Sequence, residues 1–210
     1  MKIGIDLDDV TAVCAVPYLK RFAQTYGVDL PDESEIGWHL LQKMDPHVHP
    51  RERDRFRDWL YAGPFFGELE VYADAPEVLE KLSRHGHDLY YVTARNERRR
   101  WITETWLREK GLMTYAKAVH LKPRGEFNPD VPPGRYDSSG SASYKLGVAQ
   151  DLGLDAFCED DEVISRMLAA AGIKVWLFDR PWNREVAHAN VTRVSGWTEL
   201  GGLLGLEGSR

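Results

Sequence analysis

The chain has 210 residues, of which 43% are hydrophobic, and its formal net charge is −6 with a pI near 5.7. This length suits one domain, or one core domain with a small insertion, and the composition is sufficient for a buried core. The acidic balance gives no basic surface for a nucleic-acid polymer, and no apolar run approaches membrane-spanning length.

The two cysteines and the N-terminus indicate a cytoplasmic protein. Cys14 and Cys158 are far apart in the sequence and form no metal-ligand pair, so reduced thiols are expected. Met1-Lys2 leads directly into the first predicted strand, without the apolar region and cleavage site of a secretory signal peptide.

The stretch from Ile3 to Thr11 combines an apolar run with three carboxylates, Asp6, Asp8 and Asp9. It predicts a short buried strand that carries the carboxylates at its carboxyl end, the edge at which open α/β sheets bind ligands. Residues two apart on a strand project to the same side, so Asp6 and Asp8 share a face and Asp9 turns away. Like charges this close require compensation, and a divalent cation with oxygen ligands is the simplest candidate.

The segment 14–72 is predicted to be a small helical cap inserted after the first strand. Apolar spacing predicts a helix from Thr11 to Tyr26 that stops at Gly27, and a second clear helical pattern covers Arg51 to Leu60. The segment also contains three histidines without a metal-binding spacing, which we interpret as surface or capping groups: His39, His47 and His49.

Residues 1–13 and 73–210 are predicted to form the core domain, in which strands and helices alternate. The predicted strands are Leu89–Val92, Ala118–Leu121, Asp155–Cys158, Val175–Phe178 and Val191–Val194, and the helices are Ala75–His85, Glu97–Lys110, Ala142–Leu152, Val163–Ala171 and Thr198–Leu204. This alternation predicts an α/β fold, a Rossmann-like parallel sheet with helices on both faces. A loop from Lys122 to Ser143 interrupts the alternation, and its role is left open.

Polar groups follow several of the predicted parallel strands. Asp6 and Asp8, Thr93, and the acidic run Glu159-Asp160-Asp161 each come at a strand's carboxyl end, which places them along one crevice. Lys145 lies near the start of the helix before the fourth strand and can reach the same crevice. The set contains the parts that phosphoryl transfer to an aspartate requires.

The charges of these groups suggest how a phosphate monoester would be hydrolysed. Asp6 can attack phosphorus only if Mg²⁺, held by Asp6, the backbone carbonyl of Asp8 and an acid of the second patch, screens the repulsion. Lys145, the Thr93 hydroxyl and the Ala94 backbone amide would hold the phosphate oxygens. Asp8 would protonate the leaving alkoxide and then activate the hydrolytic water.

The run from Asp6 to Thr11, Thr93 after an apolar strand, Lys145 and the acidic run resemble, in this order, the four motifs of the haloacid dehalogenase-like (HAD) phosphatase superfamily. The resemblance implies a Rossmann-like sheet with a cap, Mg²⁺ as cofactor and hydrolysis of a small phosphorylated substrate. Counting back from Gly172 favours Asp160 as the metal ligand of the acidic run, with Glu159 and Asp161 as alternatives.

A narrower resemblance is to the 5′(3′)-deoxyribonucleotidase branch, the cytosolic type C nucleotidases. It is carried by the stretches Gly63–Glu70, Tyr91–Arg95 and Phe178–Arg184. The resemblance implies a 5′-nucleotidase that acts on (deoxy)nucleoside monophosphates and places an aromatic ring near the base or sugar. Phe66 is the first choice for that ring and Phe65 the second, the alternative being that both pack the cap on the core.

Several alternatives stay open at this point. In close relatives the lysine is expected soon after the third strand, so Lys122 competes with Lys145 for that role. Arg95 either binds the substrate phosphate or pairs with the acidic run. A sugar phosphatase, a phosphotransferase and, least of all, a non-catalytic binding domain are alternative functions, and a homodimer is left open.

Overall fold

The structure is a computed structural model that describes residues 1–30, 32, 48–123 and 138–206. The predictions made for His39, His47 and residues 124–137 of the long loop lie outside these residues.

Six parallel strands form one sheet in the order β3-β2-β1-β4-β5-β6. The strands are β1 (Lys2–Ile5), β2 (Asp88–Asn96), β3 (Ala116–Lys122), β4 (Ala156–Glu159), β5 (Lys174–Phe178) and β6 (Val191–Val194). The order changes direction at β1, whose Ile3 lies opposite Leu89 of β2 and Ala156 of β4. Ligand sites in such sheets lie at this switch point, beyond the carboxyl ends of the strands.

Helices cover both faces of the sheet, which confirms the predicted Rossmann-like α/β fold. They are α1 (Ala15–Tyr26), α2 (Pro50–Ala62), α3 (Phe65–Glu68), α4 (Ala75–Arg84), α5 (Arg100–Glu109), α6 (Ser139–Leu152), α7 (Glu162–Ala170) and α8 (Trp197–Leu203). Alternate strand residues enter two separate apolar clusters: Cys158 of β4 joins the cluster with α1, α4, α5 and α8, and Phe157 joins the one with α6 and α7. None of the described helices is long and apolar enough to cross a membrane.

The turn after β1 is longer than expected, because α1 begins at Ala15 instead of Thr11. The amides of Thr11 and Ala12 both donate to the Leu7 carbonyl, which makes a tight turn. Asp9 adopts a left-handed conformation with φ of 58°. Its carboxylate accepts hydrogen bonds from the amides at the start of α1, so Asp9 fixes the turn to the helix.

Strand β2 extends to Asn96, four residues beyond the predicted end, and carries Thr93, Ala94 and Arg95. Its pairing with β3 is irregular between Thr93 and Asn96, and a 3₁₀ turn, Glu97–Arg99, separates the strand from α5. Such irregularities re-aim side chains at the end of a strand. They place Thr93 and Arg95 beside the segment that follows β1.

The described part of the predicted cap packs directly on the core. The Phe56 ring of α2 contacts Tyr18 and Phe22 of α1 at centroid distances of 5.5 and 5.3 Å. These side chains belong to the same apolar cluster as β1. His49 accepts a hydrogen bond from the Arg51 amide at the start of α2, the capping role expected for it. The division into a cap and a core at residues 14 and 72 stays a prediction.

Candidate active site

Asp6 and Lys145 meet at the carboxyl end of β1. The Asp6 amide donates to the Cys158 carbonyl at 3.1 Å, which continues the pairing of β1 with β4. Helix α6 brings in Lys145, whose Nζ lies 2.9 Å from Asp6 Oδ1 and 2.8 Å from Glu159 Oε2. The Lys145 side chain has no solvent exposure, so these two carboxylates neutralise it. The other candidate lysine, Lys122, has its Nζ 3.4 Å from Ser141 Oγ.

The three acids after β4 have three different environments. Glu159 Oε2 accepts from Lys145, and its Oε1 accepts from the amides of Asp160 and Asp161, both at 3.2 Å. Asp161 caps α7 through the Ile164 amide at 3.0 Å. Asp160 Oδ2 accepts a hydrogen bond from the Trp182 indole at 2.8 Å. The protein's own groups therefore already engage both Glu159 oxygens.

The carboxylates of Asp6, Glu159 and Asp160 form a group that suits a hard cation. Each offers an oxygen atom, and these atoms lie within 4.8 Å of one another. Three carboxylates and the Lys145 ammonium sum to a formal charge of −2. Asp6 Oδ1 is buried and accepts no well-directed hydrogen bond from a described residue. An all-oxygen donor set with this charge fits Mg²⁺.

Burial is the main cause that raises the pKa of the Asp6, Glu159 and Asp160 carboxyls, and neighbouring carboxylates raise it further. Lys145 opposes this rise at Asp6 and Glu159. Burial by itself would lower the pKa of Lys145, but its two carboxylate partners outweigh burial and raise it. A bound cation favours the ionised carboxylates, so the cluster gains stability from one.

Asp8 turns to a different cation. Arg95 Nε lies 3.1 Å from both Asp8 oxygens, and Arg95 Nη2 lies 2.7 Å from Oδ1. The Arg95 side chain is 1% exposed, whereas that of Asp8 is 24% exposed. The arginine therefore pairs with the carboxylate proposed for proton transfer, a partner that the sequence did not suggest.

Of the other residues predicted to bind the substrate or its phosphate, Thr93 and Phe66 contact Arg95. Thr93 is buried, and its hydroxyl accepts from the Arg95 amide at 3.1 Å, while Ala94 is exposed. Phe65 and Phe66 are each 3% exposed. The Phe66 ring lies 4.2 Å from the Arg95 guanidinium and 4.7 Å from the Tyr61 ring, so two protein groups already contact it.

The segment after β5 contributes residues for which the sequence analysis predicts no role at the site. Arg180 donates to the Asp9 carbonyl from Nε and Nη2, at 3.0 and 2.7 Å. The side-chain Nδ2 of Asn183 donates to the carbonyls of Asp160 and Phe178. Together with the Trp182 indole, these bonds tie the segment to Asp160 and to the turn after β1. The polar and aromatic residues directly after β5, a neighbour of β4, could have indicated a place at the site.

Two comparisons with known sequences agree with this geometry. Residues 1–130 match the family described as "5′ nucleotidase, deoxy (Pyrimidine), cytosolic type C protein". A Bacillus cereus protein assigned by name to the nucleotidases is 24% identical over 212 residues, which cover 97% of this chain and 98% of that protein.

Solved structures show the same fold at low sequence identity. A haloacid dehalogenase-like hydrolase of Streptococcus pneumoniae superposes with a TM-score of 0.62 at 13% identity, over 97% of each chain. The Mycobacterium tuberculosis protein tyrosine kinase A superposes with a TM-score of 0.70 at 16% identity, again over 97% of each chain.

Proposed function

Because the chain belongs to the cytosolic type C 5′-nucleotidase family of the HAD superfamily, we propose that it is a Mg²⁺-dependent hydrolase of (deoxy)nucleoside 5′-monophosphates. Family membership makes it a nucleotidase-like phosphatase, and the substrate, metal and mechanism are the proposal. The observation that carries it is the buried contact between Asp6 and Lys145, beside two more carboxylates at the switch point of the sheet.

The Asp6 and Asp160 carboxylates and the Asp8 backbone carbonyl would hold the metal. Glu159 is the weaker choice, because Lys145 and two backbone amides already engage its oxygens. A bound Mg²⁺ would screen the repulsion between the Asp6 carboxylate and the phosphate dianion.

Asp6 acts as the nucleophile in the proposed reaction. One of its carboxylate oxygens bonds to phosphorus while the bond from phosphorus to the ester oxygen breaks. Asp8 gives a proton to the departing alkoxide and later takes one from the water that attacks the aspartyl-phosphate. Inorganic phosphate leaves, and both carboxyl groups return to their starting states. Lys145, the Thr93 hydroxyl and the Ala94 amide stabilise the charge on the phosphate oxygens.

The choice of a nucleotide as substrate rests on the family and on its nucleotidase-named relatives. A contact of Phe66, or of Phe65, with the base or sugar stays part of this proposal. A sugar phosphate is the second candidate substrate, because the site described above recognises the phosphate and the metal alone. We also propose a cytoplasmic location, since Cys14 and Cys158 are both free thiols.

A substrate panel tests the proposal directly. Nucleoside 5′-monophosphates, their deoxy forms and sugar phosphates are assayed for phosphate release with Mg²⁺ and with EDTA. Asp6→Asn is expected to abolish turnover while the protein remains folded, as shown by a cooperative unfolding transition. Asp151→Asn, which changes an exposed carboxylate on α6, is the control. A wild-type protein without any metal-dependent phosphate release would contradict the proposal, and an active Asp6→Asn variant would contradict the nucleophile.

A further inference from the structure

We propose that Arg95 is a positioning residue, which holds the Asp8 carboxylate for proton transfer and does not bind the substrate phosphate. The inference deepens the proposed function and rests on it. It departs from one reading of the sequence, in which an arginine two residues after Thr93 contacts the phosphate.

Asp8 balances the buried charge of Arg95. Arg95 carries a permanent positive charge on a side chain that is 1% exposed, and such a charge requires a partner. Asp8 supplies it with contacts of 2.7, 3.1 and 3.1 Å to Nη2 and Nε. A forked contact of this kind fixes the plane of the carboxylate as well as its distance.

Protein groups already enclose the rest of the Arg95 guanidinium. The Phe66 ring of α3 lies 4.2 Å from Arg95 Cζ, and the Trp106 ring of α5 lies 5.3 Å from it. Arg95 Nη1 lies 3.5 Å from Thr103 Oγ1, also on α5. Groups from α3 and α5 therefore contact the guanidinium, whose side chain is 1% exposed.

The enclosing groups are themselves fixed, which makes Arg95 a rigid support. The Trp106 indole donates to the Leu69 carbonyl at 2.8 Å, and this bond joins α5 to the residue directly after α3. The Phe66 ring contacts Tyr61 of α2 as well as Arg95. An Asp8 carboxyl group held by such a support keeps one orientation, which it needs both to give its proton to a leaving oxygen and, once ionised, to take one from water.

The two roles of Arg95 predict different kinetics. If it orients Asp8, its loss should slow the release of leaving groups that need a proton, such as the alkoxide of a nucleotide or sugar phosphate. A p-nitrophenolate leaving group needs no proton, so the kcat/KM for p-nitrophenyl phosphate, which reports the steps up to Asp6 phosphorylation, should change little. If Arg95 binds the phosphate, both substrates should lose kcat/KM, and inorganic phosphate should inhibit more weakly.

The test uses Arg95→Met and Arg95→Lys, with Arg98→Met as the control at an exposed arginine. For Arg95→Met we expect kcat/KM to fall by about 10²-fold on the best alkyl phosphate of the panel. The value for p-nitrophenyl phosphate and the inhibition constant of inorganic phosphate should stay near those of the wild type. Arg95→Lys keeps the charge but not the forked contact, so it should show the same selective loss, in smaller degree.

Equal losses on both substrates, or a raised inhibition constant for phosphate, would assign Arg95 to phosphate binding and overturn the inference. Wild-type rates on alkyl phosphates in both variants would overturn it as well. If Arg95→Met does not fold, the selectivity of Arg95→Lys decides. A failure of the proposed function is a separate result, because the wild-type protein would then release phosphate from neither substrate.

Discussion

Replacing Lys145 by methionine should destabilise the metal-free protein and remove its activity. The substitution keeps most of the side-chain volume but leaves Asp6 and Glu159 without the ammonium that lies 2.9 and 2.8 Å from them. The formal charge of the buried cluster then changes from −2 to −3. Removing one partner of a buried ion pair costs about 3–5 kcal/mol, a large fraction of the roughly 5–15 kcal/mol that stabilises a typical domain.

Urea unfolding in EDTA measures the free energy of unfolding, and the same titration with Mg²⁺ measures the stabilisation by the cation. The loss in Lys145→Met should be largest in EDTA, because a cation compensates part of the added negative charge. Phosphate release should fall by about 10²–10³-fold, the usual effect of removing one group that stabilises an oxyanion.

Two further variants control for the two effects of this substitution. Lys145→Met combined with Glu159→Gln removes both charges of one pair, so it should recover stability but not activity. Lys122→Met removes the other candidate lysine and should leave both properties near wild type. A Lys145→Met protein with wild-type stability in EDTA would refute the charge argument, and loss of turnover in Lys122→Met alone would move the catalytic role to Lys122.

Three more predictions address other parts of the site and the fold. Trp182→Phe removes the hydrogen bond to Asp160 and should weaken Mg²⁺ binding about 10–100-fold in calorimetry, whereas Trp59→Phe, at an exposed ring, should not. Phe66→Leu should change the ratio of kcat/KM between nucleotides, and an unchanged ratio would contradict its contact with the base. Burial, followed by Arg100, lowers the pKa of His120, so the folded state binds this proton less well than the unfolded state does. The stability that the neutral imidazole contributes is complete above the usual histidine pKa near 6.5 and is lost as the pH falls below it. The thermal midpoint of His120→Phe should therefore decrease less than that of the wild type between about pH 7 and 5. Equal decreases in the two proteins would contradict this.

The central strands β4 and β5 were predictable because their residues are largely apolar and buried on both faces of the sheet. Val175 to Phe178 is a continuous apolar run, as expected for a parallel strand between two helical layers, and β5 has these bounds apart from Lys174. The ends of other elements depend on tertiary contacts. Pairing with β3 extends β2 to Asn96, and the Asp9 carboxylate delays the start of α1 to Ala15. Neither effect has a periodic signal in the sequence.

The residue types of the site were predictable from their places after the strands, but most of their partners were not. A carboxylate directly after a parallel strand must lie at the carboxyl edge of the sheet, so its position follows from the sequence. Its partner depends on which way the side chains of other elements point in the folded protein. Arg95 reaches Asp8 because of the irregular end of β2, and Trp182 reaches Asp160 from the segment after β5. Such contacts join residues that are 87 and 22 positions apart.

Asp6 and Asp8 are only two residues apart, but each carboxylate contacts a different cation. Lys145 lies against Asp6 in the buried acidic cluster, which holds the proposed metal site and the proposed nucleophile. Arg95 lies against Asp8, which is more exposed and outside that cluster. Two carboxyl groups in one site perform different chemistry only when their environments differ. Here the environments differ because Lys145 reaches Asp6 from α6, whereas Arg95 reaches Asp8 from the end of β2. The two carboxylates could exchange partners only if α6 and the end of β2 lay differently around β1.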